Sequence, residues 1–204
     1  MKKPIVFIVF LSIIIFLLQV VILYKNRDFE YFGEKYKPEY NKITNEIIDK
    51  YEIINEYYDF IPAQIVQNIN GLINDLFLIN RGYSDGVNEK SFVVNEIGLV
   101  GQVIKTFEHF SVVRSLFSSN INIAVEVNSC YGTLKNIAGE FLIDDLINCT
   151  DVHDDESVFT SKYNYSSANI LIGSISKVDK DKLYVKLAIN KYLLKYVGVI
   201  NDNN

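Results

Sequence analysis

Hydrophobic and polar positions follow three successive patterns along this chain, and each predicts a different kind of element. From Ile5 to Tyr24 no residue is charged, and seventeen of the twenty are Ile, Val, Leu or Phe. As a helix rising about 1.5 Å per residue the stretch reaches roughly 30 Å, the thickness of a bilayer's hydrocarbon core. Ser12 and Gln19 are too few to reverse favourable insertion. From Glu39 to Phe60 the apolar residues Tyr40, Ile43, Ile47, Tyr51, Ile54 and Tyr58 recur at threes and fours between charged side chains, which predicts an amphipathic helix. Pro62 ends that helix, and from Ala63 onward the period falls to two.

The period-two region is clearest where Ile121, Ile123, Val125 and Val127 alternate with Asn122, Ala124, Glu126 and Asn128. Leu183, Val185, Leu187 and Ile189 alternate in the same way with Tyr184, Lys186, Ala188 and Asn190. Shorter apolar runs at 76–79, 92–94, 99–104, 112–117, 141–143, 158–160, 170–175 and 196–200 bring the expected strands to about ten. Asp85-Gly86, the neighbourhoods of Gly132 and Gly139, and the hairpin Asp179 to Lys182 supply turns. Many short strands with little helix predict two small antiparallel β-barrels, closed so that no edge is exposed. The expected organisation is an N-terminal tip and anchor over 1–25, a linker over 26–38 broken by Gly33 and Pro38, and a coiled-coil helix over 39–60. A first barrel over 61–148 and a second over 149–204 follow, with strands permitted to be shared.

A cleaved signal peptide would also begin with Lys2, Lys3 and an apolar run. Here the run ends Ile22-Leu23-Tyr24-Lys25 with no small-residue cleavage site, so the anchor is expected to stay. Its orientation does not follow from charge, because Lys25, Arg27, Lys35 and Lys37 outnumber the two lysines before it. The helical stripe needs a cover, either a second copy or the chain's own β region. We read it as a dimer seam, since tethering to a membrane raises the local concentration of a weak seam. The spacing from Ile47 to Tyr51 puts a stutter into the heptads.

Net charge is −5, and since the first 24 residues hold two lysines and no acid, the remainder carries −7. That field repels phosphate backbones and anionic headgroups, which argues against nucleic acid and for protein partners. Cys130 and Cys149 permit one disulfide, but with no metal-ligand or redox spacing we read them as two buried free thiols. His109 and His153 stand in no nucleophile motif and read as surface residues. His153 precedes Asp154, Asp155 and Glu156, but adjacent strand residues point to opposite faces and do not converge on one ion. Thr160-Ser161 reads as bonding to local backbone. No catalytic, cofactor or metal residue is predicted.

Several stretches taken in order resemble the rod shape-determining MreC family. Ala63-Gln64-Ile65-Val66 is similar to its first strand. Ile79-Asn80-Arg81-Gly82-Tyr83-Ser84-Asp85-Gly86-Val87 resembles its N-x-G-x-x-D-G-V turn, and Gly98-Leu99-Val100-Gly101-Gln102-Val103 its G-L-V-G-x-V strand. Ser111-Val112-Val113, Tyr131-Gly132-Thr133-Leu134, Val158-Phe159-Thr160-Ser161 and Ile172-Gly173-Ser174-Ile175 fit later motifs. The chain departs from the pattern in its short helix, in Asp155-Glu156 for Gly-Asp, in Lys162 for a glycine, and in a reduced glycine-rich loop before Ile170.

The resemblance implies a single-pass cell-membrane scaffold of the cell-elongation machinery, with its C-terminal domain outside the cytoplasm and no catalysis of its own. It further implies a class B penicillin-binding protein as partner, together with MreD, RodA and the MreB complex, and self-assembly as a homodimer or larger. Tyr163 and Tyr165 are candidate aromatic anchors for a partner. Two other readings compete. An export adaptor also joins an anchor to helix and β domains, but requires a long helical hairpin that this chain lacks. A membrane-anchored hydrolase has only His153 and its acidic neighbours to rest on.

Overall fold

The alternation over 121–127 is realised as a strand over Asn122–Val127 in which Ile123, Val125 and Val127 are buried, with Ile121 buried just before it, and that strand belongs to the second of two barrels. The computed structural model describes residues 60–69, 75–149, 151–162, 169–179 and 182–200. Among them no helix is long and apolar enough to cross a membrane, and the expected anchor and nearly all of the expected helix lie outside them.

The first barrel is built from β1 (Ile61–Ile69), β2 (Leu76–Ile79), β3 (Phe92–Val94), β4 (Leu99–Thr106), β5 (Ser111–Ser115) and the last strand, β12 (Tyr196–Ile200). They close in the order β1-β12-β3-β4-β5-β2. Between β5 and β12 the chain makes the second barrel. It comprises β6 (Asn122–Val127), β7 (Cys130–Ile137), β8 (Glu140–Ile147), β9 (Ser157–Thr160), β10 (Leu171–Asp179) and β11 (Lys182–Leu187), closing as β10-β11-β8-β7-β6-β9. All pairings are antiparallel, and closure leaves no edge for another chain to pair with. Six strands enclose a space that side chains fill. Phe77, Ile79, Phe92, Val113 and Val199 pack the first barrel, and Ile123, Leu134, Ile143, Ile172 and Ile175 the second, all within one hydrophobic cluster. So tight a curvature needs bulges, and the register shifts at Ile65/Gln67 and Val103/Lys105 in the first barrel and at Tyr131/Thr133 and Ile175/Lys177 in the second.

Three sequence expectations are corrected. The division at residue 148 is not where the barrels part: β6, β7 and β8 pair with β9 and β11, and the C-terminal strand returns to the first barrel against β1 and β3. Cys130 and Cys149, read as free thiols, are disulfide-bonded. The end of β8 runs beside the start of β7, which brings their Cα atoms to 4.3 Å. The turn expected near Gly132 is present as the β6–β7 hairpin at Asn128-Ser129, with Asn128 at φ +53°, and Gly132 itself comes shortly after it. It lies in the bulge of β7, where a Cβ would sit 2.5 Å from Ile143 Cγ2, so its role is close approach to β8. The first strand begins at Ile61 rather than after Pro62. Pro62 stands opposite Gly198 of β12 near the strand's start, where a missing N–H costs little.

The expected turns at Asp85-Gly86 and Gly139 are present. A 3-10 turn over Tyr83–Asp85 ends at Gly86 with φ +89°, and Ala138 and Gly139, at φ +54° and +92°, form the two-residue hairpin between β7 and β8. Two sets of contacts hold the barrels together. After β5, Leu116 N–H donates to Val100 O at 2.9 Å, Ser118 Oγ donates to Asp75 Oδ1 at 2.6 Å, and Asn136 Nδ2 on β7 donates to Phe117 O at 2.7 Å. On the other side Asn95 Oδ1 accepts from the Ile97 and Gly98 N–H groups, holding Gly98 so close to Leu171 O of β10 that a Cβ there would overlap it.

Candidate interaction surface

The anchor limits Ile5 and Tyr24, the seam residues Tyr40, Ile43, Ile47, Tyr51, Ile54 and Tyr58, and the aromatic pair Tyr163 and Tyr165 all lie outside the described residues. Both histidines are described, and both sit at the surface as expected. His153 Nε2 lies 3.4 Å from Asp151 Oδ1, and both side chains are exposed. Among the described residues no three His, Cys, Asp or Glu side chains gather as a metal site would require.

One juxtaposition leaves no signal in the sequence. The tight turn after β2 brings Ser84 Oγ to 3.1 Å from His109 Nδ1, and Glu108 Oε1 lies 3.4 Å from His109 Nε2. These are the residue types of an acyl-transfer triad, but the surroundings do not match one. Ser84 Oγ donates to Glu108 O. The N–H groups of Tyr83, Ser84, Asp85 and Gly86 all donate to carbonyls, of Phe107, Glu108, Gly82 and Tyr83, so this turn has no donor left for an oxyanion. The contact closes the turn against the β4–β5 loop. Thr160 is likewise structural, but its Oγ1 accepts from the Ile170 N–H at 3.1 Å, ten residues on, rather than from backbone in its own segment.

On the outside of the second barrel Lys135 Nζ lies 3.0 Å from Asp145 Oδ2 and 3.2 Å from Asp144 Oδ2. Hydrogen bonding to Asp145 and then Asp144 holds the Lys135 ammonium above its ordinary pKa. The Asp145 N–H, and then Lys135, hold Asp144 below the usual carboxylate range. Inside the β6–β9 seam Glu126 is nearly buried and its Oε2 accepts from Lys162 N–H at 3.2 Å, with Lys162 Nζ 3.9 Å from Oε1. The lysine that departs from the family pattern is thus tied to a carboxylate of this chain.

A groove of about 540 Å³ lies at the junction of the barrels. Asp75, Phe117 and Ser119 line it, together with Asn136, Ala138, Gly139 and Phe141 of the β7–β8 hairpin and Lys191. The Phe117 and Phe141 rings meet edge to face at 5.9 Å, and Lys191 Nζ sits 5.7 Å from the Phe117 ring and 5.3 Å from that of Tyr192. Ile137 and Tyr192, each next in sequence to a lining residue, are exposed at 52% and 74%. Two aromatic rings among mixed polar and apolar groups, with a lysine beside them, are the kinds of side chain that protein interfaces favour. Sequence reading places Phe117 inside a strand; β5 in fact ends at Ser115, and the ring is free to face the junction.

The comparisons with known proteins agree with this architecture. Residues 65–201 match the family model of the rod shape-determining protein MreC, barrel core. The cell shape-determining protein MreC of Listeria monocytogenes is 27% identical over 175 residues, which cover 78% of this chain and 59% of that protein's length. A solved Listeria monocytogenes MreC structure superposes with a TM-score of 0.65 at 23% identity, covering 89% of this chain and 93% of its own. At 12% identity and a TM-score of 0.58, the fold is also shared with MreC of Helicobacter pylori, solved in complex with the penicillin-binding protein PBP2, over 70% of this chain and 98% of that one. With the barrel-core match running over most of its length, this chain belongs to the MreC family of rod shape-determining proteins.

Proposed function

We propose that this protein is a non-catalytic, membrane-anchored scaffold of the cell-elongation machinery, which binds a class B penicillin-binding protein and raises its activity. The observation that carries the reading is the match of residues 65–201 to the MreC barrel core. It is supported by the complex that a Helicobacter pylori member of the fold forms with PBP2. In this reading Ile5 to Tyr24 is a single-pass span, the N-terminus is cytoplasmic, and the barrels stand outside the membrane. The stripe from Tyr40 to Tyr58 pairs two copies, and MreD, RodA and the MreB complex are further partners. Activation requires that the scaffold bind the synthase's active conformation more tightly than its inactive one.

Photo-crosslinking residues placed at Tyr163, Tyr165, Ile137 and Tyr192 of the full chain test this in cells. Adducts with a peptidoglycan transpeptidase at one or more of these positions are expected; adducts with none, alongside normal rod shape after depletion, would end the proposal. Full chain in detergent should also raise the partner's glycan-synthesis or crosslinking rate at saturation. Ile47→Asp should abolish inter-subunit crosslinks, and their survival would place the stripe against its own barrel.

A further inference from the structure

The strand order of the second barrel creates a problem that its disulfide solves. β8 and β9 follow each other in sequence but are separated by β7 and β6 around the barrel, so the connection after Ile147 must cross the barrel's end. It crosses at the end away from the junction, because the β7–β8 hairpin at Ala138-Gly139 lines the junction groove and the opposite ends of those strands carry Cys130 and Ile147. Downstream the crossover is pinned to β10, where Asp155 N–H donates to Ile175 O and Ile175 N–H to Glu156 O, both at 2.8 Å. Upstream the ladder stops: Tyr131 opposite Ile147 is the last pair, and Asn148 at φ +58° turns the chain aside. The next residue is Cys149, bonded to Cys130. Cys149 and Val152 then pack against the core, and Cys130 itself is 3% exposed.

We propose that the Cys130–Cys149 bond is a redox-operated clamp that, when oxidised, holds the crossover down over the far end of the second barrel and, when reduced, lets Val152 and its neighbours lift away. Opening takes two electrons from a dithiol reductant. The Sγ–Sγ bond breaks, each sulfur gains a proton, and the reductant closes to its own disulfide. Closing returns the two electrons to a disulfide oxidant. The clamp also fixes where Asp151, Asp154 and Asp155 are displayed, so the acidic face of this barrel end is well defined only in the oxidised protein.

Full chain purified oxidised in mild detergent is treated with or without dithiothreitol, alkylated, and digested briefly with an endoproteinase that cuts before aspartate. Cutting at Asp151, Asp154 and Asp155 is expected to accelerate on the order of tenfold after reduction, since local opening then precedes global unfolding. The paired substitution Cys130→Ser with Cys149→Ser should give the fast rate with or without reductant. Hydrogen exchange on the unsubstituted chain answers the same question should that variant misfold. The Asp155 amide should lose protection on reduction while those of Leu134 and Val113 keep theirs. Equal rates in both redox states, two alkylatable thiols in the untreated protein, or protection lost equally at all three amides would overturn the proposal.

Discussion

At the scale of single residues, space and charge set separate constraints. Gly98 is fixed by space: its backbone needs no left-handed angle, but any Cβ would strike Leu171 O across the junction. Gly98→Ala should therefore cost about 1 to 3 kcal/mol, read as a lowered urea midpoint, because the clash is with backbone that cannot rotate aside. Gly139 is the opposite case, with nothing within 4 Å of where a methyl would sit but a φ of +92°. Charge acts on the Lys135 cluster. Asp144, lowered first by the Asp145 N–H and then by Lys135, stabilises the fold above its unfolded value near 3.8 and ceases to as pH falls through its lower folded one. Lys135, raised by Asp145 and Asp144, stabilises below 10.5 and ceases to as pH rises through its higher folded value. Lys135→Met is thus expected to flatten both limbs of the urea-midpoint profile against pH, and only at low salt, since the groups are open to solvent. A profile superimposable on the parent's would show that the pair contributes nothing.

At the scale of elements, the hairpin of β7 and β8 holds the junction through one side chain. Asn136 is nearly buried; its Nδ2 donates to Phe117 O at 2.7 Å and its Oδ1 accepts from Gly139 N–H at 3.0 Å. Asn136→Ala strands a carbonyl and an amide at once, and a loss of about 1 to 3 kcal/mol is expected by urea unfolding. Exchange at Gly139 should accelerate more than at Leu134, and a uniform acceleration would show that the side chain is not local in its effect. The same hairpin explains what the sequence did and did not reveal. β6 and β11 were legible because one face of each is apolar throughout. β7 was not, because Thr133 and Lys135 are only half-buried and Gly132 interrupts the alternation at a bulge. The disulfide was illegible for a related reason, since pairing Cys130 with Cys149 depends on the β7–β8 register, which a bulge displaces. The junction groove was hidden as well, because Phe117, Asn136 and Lys191 converge from three separated segments.

At the scale of the whole molecule, the second barrel is an insertion into the first, and this is what local patterns cannot show. Tyr196 to Ile200 reads as one more apolar run following β11, yet it crosses back to pair with β1 at Ala63 opposite Val197 and with β3 at Val93 opposite Val199. The first barrel therefore closes only when the last strand has been made, and its core residues Val197 and Val199 arrive about 85 positions after Val113. Such non-local closure must wait for the inserted barrel's ends to come together, which makes folding of the first barrel dependent on the second. A chain ending at Lys195 would leave two unpaired strand edges and an unfilled core. It is expected to lose cooperative thermal unfolding and to bind a dye that reports exposed apolar surface, whereas a chain ending at Ile200 should match the parent in both. The contrast is specific because the two truncations differ only by the five residues of β12. Parent-like cooperativity in the shorter chain would mean that five strands suffice and that the return of the C-terminus is dispensable.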